Sequence, residues 1–113
     1  MNVFPEFIKN RPPIDLPYPG VHGYLIQGRR EQVVFMEFDR DTIVPEHSHA
    51  SQWEIVIEGT VDLTVDGTTK TYTKGGCFHI PKDAPHAATV HKGYRCVMIF
   101  DQSDRYHRKQ GKS

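Results

Sequence analysis

The chain has 113 residues, 37% apolar and 25% charged, which suits one soluble domain around one core. Lys plus Arg and Asp plus Glu both number 14, so no field of one sign favours nucleic acid or an anionic membrane. No apolar run approaches the roughly 20 residues that span a bilayer, and the N-terminus lacks the apolar core of a signal peptide, so a cytoplasmic location is expected.

Residues 1–20 carry Pro5, Pro12, Pro13, Pro17 and Pro19. Proline lacks the N–H that a helix or ladder needs, so this segment reads as an extended arm. Its Val3, Phe4, Phe7, Ile8, Ile14 and Leu16 are apolar and would pack on the chain's own barrel or on a partner subunit. From 21 to 101 the pattern changes to short β-rich runs, among them QVVFMEFD, WEIVIEG, TVDLTVDG, CFHIP and YRCVMIFD. Asp66-Gly67 signals a two-residue hairpin, and KGG (74–76) and HKG (91–93) signal further turns. No stretch has helical period over a useful length. The pattern predicts an all-β sandwich or barrel. Residues 102–113 are polar and are expected to fray. Their terminal GKS lacks the earlier glycine of a phosphate loop, because Tyr106 stands at that position. Cys77 and Cys96 show no C-x-x-C spacing; both lie in strand-like runs and read as buried thiols.

The chemistry concentrates in PEHSHASQWEIVIEG, residues 45–59. His47 and His49 share strand parity, so they can converge on one point. With seven histidines in the chain an H-x-H pair arises readily by chance, and two solvated loop histidines are the plain alternative. Gln52 and Glu54 also share parity, and His86 follows a proline turn in GGCFHIPKDAPHAATV.

At these residues the chain resembles the cupins. Their second motif, G-x5-P-x-G-x2-H-x3-N, is matched at Gly75, Pro81 and His86, with Asp83 for the glycine and Val90 for the asparagine. Their first, G-x5-H-x-H-x3,4-E-x6-G, is matched at His47, His49 and Gly59, with Asp41 for the first glycine. The resemblance covers roughly residues 30–100. It implies a double-stranded β-helix, or jelly-roll barrel, in which His47, His49 and His86 ligate a metal. It also implies a homodimer, which an exchanged arm covering sheet edges would favour.

The segment between His49 and Gly59 is shorter than the family pattern. Counting from His49, Glu54 takes the fourth-ligand place; counting back from Gly59, Gln52 does. A turn pins register more firmly than a loop, which favours Gln52. Glutamine would leave the full charge on the metal and make it the stronger Lewis acid. Glu54 would then be free as a general base, or it would pair with a nearby cation and only structure the strand. The donor set suits one divalent transition metal, Zn, Fe, Ni, Mn or Cu. His79 would line the cavity as a second proton carrier if its face is inward, and would be solvated if outward. His22, His91 and His107 read as loop or end residues, and Trp53 as packing on the outer face.

The reading is a metal-binding barrel acting on a small oxygen-rich molecule, with isomerase- or lyase-type chemistry through the metal and a base, Glu54 or His79. A metal-dependent dioxygenase and a non-catalytic sensor are the alternatives. The substrate class rests on the resemblance alone.

Overall fold

The computed structural model describes residues 2–110; the GKS end set aside above lies outside them. Among the described residues the chain forms one four-residue helix, α1 (Glu6–Lys9), and nine strands. These are β1 (Val21–Gln27), β2 (Gln32–Phe38), β3 (Thr42–His47), β4 (Gln52–Glu58), β5 (Val61–Val65), β6 (Thr68–Tyr72), β7 (Cys77–Ile80), β8 (His86–Val90) and β9 (Arg95–Phe100). One sheet has the order β1-β2-β9-β4-β7 and the other β3-β8-β5-β6, with every pairing antiparallel. This is the expected all-β jelly-roll barrel.

Alternation along the strands builds the core. Val34, Met36 and Phe38 of β2, Val56 of β4 and Cys96, Met98 and Phe100 of β9 face Val61 and Leu63 of β5 and Val90 of β8. Burying each large apolar side chain contributes about 1.5–3 kcal/mol. The Asp66-Gly67 hairpin forms as predicted. Both turn residues take positive φ, 48° and 80°, which matches the right-handed twist of the flanking strands. Gly59 has φ 84°, and a Cβ there would stand 2.7 Å from the Cα of Tyr94. Only glycine lets β4 end this close to the start of β9.

Three local expectations are corrected. The arm is not wholly extended, because residues 6–9 between the prolines close one helical turn. Cys96 is buried, but Cys77 lies on the outward face of β7 and is exposed. The tail does not fray through residue 109. The arm packs on its own barrel, with Leu25 N–H donating to Pro12 O (2.9 Å) and Ile14 N–H to Gly23 O (3.0 Å). The tail then pairs with the arm's other side, through Asp15 N–H to His107 O and Lys109 N–H to Pro13 O, both 2.8 Å. Proline carbonyls accept where proline nitrogens cannot donate, so a proline-rich strand can still be zipped on both sides.

Candidate metal centre

A β-bulge aims the first histidine. Thr42, Ile43 and Val44 oppose Val90, Thr89 and Ala88 in order, but His47 then opposes His86. Three steps along β3 match two along β8, so Pro45-Glu46 holds one extra residue. Without it Glu46 would share the inward parity of Thr42 and Val44, and His47 would face out. The bulge turns His47, and His49 beyond it, toward the interior.

His86 comes from the turn before β8. Asp83, where the family motif has glycine, takes φ 64°, a conformation that Asp tolerates better than most residues. Its N–H donates to the carbonyl of His49 (2.9 Å), which ties the two histidine-bearing loops together.

The ligating atoms of His47, His49 and His86 lie within 4.8 Å of one another, and among the described residues no other His, Cys, Asp or Glu joins them. Each ring has its Nδ1 at a backbone carbonyl: His47 at Pro45 O (2.8 Å), His49 at Ala50 O (2.7 Å) and His86 at Ala84 O (2.9 Å). A carbonyl only accepts, so each Nδ1 carries the proton and each Nε2 presents a lone pair. The Nε2 atoms of His49 and His86 stand 3.1 Å apart. Burial lowers the pKa of His49 to about 4 and lowers that of His86. Both rings are therefore neutral near pH 7, and two lone pairs at this distance repel unless a cation lies between them. The donor set fits a metal ion, with its rings held by backbone acceptors that fix the tautomer.

Gln52 and Glu54 sit on the inward face of β4, which pairs with β9 on one side and β7 on the other. Both are buried and both line the cavity. Gln52 Nε2 donates to Glu54 Oε1 (2.8 Å), and the Tyr94 hydroxyl donates to Glu54 Oε2. The amide nitrogen of Gln52 is thus committed to Glu54, and its oxygen is the atom left over. Burial raises the Glu54 pKa from 4.5 to about 7, against hydrogen bonds from Tyr94, Cys96 and Gln52 that lower it. Burial also raises the pKa of Tyr94 and Cys96.

His79 lies elsewhere. Phe78 and Ile80 take the inward positions of β7, so His79 points out, exposed, with Nε2 2.6 Å from Ser51 Oγ. The proton-carrier role expected for an inward His79 has no geometric support. Trp53 is on the outer face, as expected.

The cavity measures about 620 Å³, within the range of small-molecule sites. The arm (Asp15 to Tyr18) and the tail (Arg105 to His107) both wall it. Sequence reasoning missed Tyr94, which holds Glu54, and the tail residues Arg105 and Tyr106. Tyr94 had a signal in its place directly after the HKG turn; the tail residues had none.

Two antiparallel sheets closed around an inward cluster of three histidines define a small jelly-roll barrel of metal-site type. The chain belongs to the cupin family: the Cupin domain model matches residues 34–100. No curated protein matches the chain in sequence. Among solved structures, an RmlC-like cupin from Shewanella frigidimarina NCIMB 400 is 26% identical, with TM-score 0.72 over 83% of this chain and 86% of that one. KdgF from Halomonas sp. is 20% identical, with TM-score 0.70 over 81% and 88%. Bacillus subtilis oxalate decarboxylase, described with Mn(II) centres, is 19% identical with TM-score 0.69; the match covers 84% of this chain but 29% of that one.

Proposed function

We propose that this cupin is a metal-dependent protein acting on a small, oxygen-rich molecule by non-redox chemistry of the isomerase or lyase type. The observation that carries the reading is the tautomer-locked trio, whose ligand atoms lie within 4.8 Å of one another on the wall of a cavity of small-molecule size. His47, His49 and His86 would hold the metal, with the Gln52 oxygen as fourth ligand. When bound, a divalent ion supplies Lewis-acid polarisation of a carbonyl or enol oxygen. The Mn(II) centres of oxalate decarboxylase, a protein with this fold, agree with a metal here.

The chain's own residues supply the rest. Glu54, with a pKa near neutrality, holds or releases a proton at its carboxyl oxygens. The Tyr94 hydroxyl on Oε2 connects that carboxyl to a second group on the cavity wall. Met36, Phe38 and Met98 give the cavity an apolar floor that excludes water. The test is turnover of hydroxy-acid and oxo-acid substrates by zinc-loaded protein under anaerobic conditions. Turnover abolished by His47→Ala is the expected result. A strict requirement for iron and oxygen would overturn the non-redox reading, and no turnover of any substrate would overturn catalysis.

A further inference from the structure

The cavity holds a charged group that the metal reading does not use. Arg105 follows β9 and is partly buried on the cavity wall. Its guanidinium carbon lies 4.5 Å from the ring centroid of Tyr106 and 5.8 Å from that of Phe100. Stacking on aromatic faces pre-orients the planar fork.

Tyr106 is itself locked. The side chain of Gln32, fully buried in β2, accepts from the Tyr106 N–H (2.9 Å) and donates to the Tyr106 carbonyl (2.8 Å). A solvated tail arginine needs no such clamp from the core.

Among the described residues Arg105 has no counter-ion. None of the ion pairs among the described residues includes it, and its Nε is buried without a hydrogen-bond partner. Asp15 and Glu46 line the same cavity but are exposed at its rim, and neither pairs with it. Glu54 is already taken by Gln52 and Tyr94. A cation held in place beside a trio suited to a second cation makes the cavity complementary to an anion.

We propose that Arg105 recognises a carboxylate on the small molecule, by two parallel N–H···O bonds from its guanidinium, and so sets the substrate class as an oxo or hydroxy acid. This rests on the proposed function only in that the acid's other oxygen would reach the metal. Planar bidentate pairing with carboxylate is what a stacked guanidinium offers and an ammonium does not.

The test is calorimetric titration of the full-length, metal-loaded protein with pyruvate, acetoacetate and levulinate, each paired with its neutral amide. At least one acid is expected to bind about tenfold or more tighter than its amide, the scale of a charge-assisted pair. Arg105→Gln is expected to abolish that preference and leave metal stoichiometry unchanged. Arg105→Lys, which keeps charge but loses the fork, is expected to fall between. Structural damage would weaken acid and amide alike, so the acid-over-amide ratio isolates the role. Equal binding of acids and amides, an unchanged ratio in Arg105→Gln, or no binding of any acid would overturn the proposal. Arg105-dependent acid binding that persists after the metal is removed would support it and count against the metal-dependent reading.

Discussion

Replacing Gln52 with alanine removes the amide oxygen proposed as fourth ligand and also strips Glu54 of a buried donor at 2.8 Å. Replacing Glu54 with alanine leaves that oxygen in place but frees the amide to rotate. Outer partners that orient a ligand are worth about tenfold to 100-fold in metal affinity, and a ligand itself should be worth more. Gln52→Ala is therefore expected to weaken zinc binding by more than about 100-fold, and Glu54→Ala by about tenfold. The double variant separates the causes. If Glu54 acts by holding Gln52, its loss has nothing left to disturb once Gln52 is gone, and the double variant binds as Gln52→Ala does. The assay is competition with a chromophoric chelator at pH 7. Full additivity would show that Glu54 acts through its charge rather than through Gln52. A larger loss in Glu54→Ala than in Gln52→Ala would refute the ligand assignment.

Two further predictions concern stability. The Glu54 pKa is about 7 in the fold against an ordinary 4.5, so folding favours the protonated acid. In metal-free protein there is no penalty below pH 4.5; it grows from pH 4.5 to 7 and then stays constant at about 3 kcal/mol. Urea unfolding of wild type and Glu54→Gln across this range should show the variant's relative stability rising with pH. The depressed His49 and His86 act in both proteins, destabilising them as pH falls, and so cancel in the difference. A difference independent of pH would remove the buried-acid description. Gly59→Ala is expected to cost more than about 2 kcal/mol, since φ 84° and backbone at 2.7 Å add strain to overpacking. Gly67→Ala, at φ 80° but in open space, should cost about 1 kcal/mol. Equal costs would show that the close approach to Tyr94 is not what Gly59 serves.

The barrel was legible because alternation and turn residues act locally. Asp66-Gly67 states its own geometry, and β2, β4 and β9 carry their apolar faces in plain period two. The histidine trio was legible because spacing survives even where Asp83 replaces the family glycine. The bulge at Pro45-Glu46 was not, because a bulge exists only relative to a partner's register, and β8 lies some 40 residues away. The parity of β7 was the same kind of problem: Cys77 and His79 share a face in the sequence, but only pairing with β4 shows that it is the outer one. The tail was least legible. QSDRYHRK is polar and carries no period, and what orders it is a buried glutamine 74 positions earlier.

The measurement that tests the central claim most directly is the metal content of purified protein, after loading and desalting, for wild type and for His47→Ala, His49→Ala and His86→Ala. One transition-metal ion per chain in the wild type, lost in each variant while the fold is retained by circular dichroism, is the predicted result. A wild type that retains no ion, or a His86→Ala protein that keeps a full complement, would contradict it.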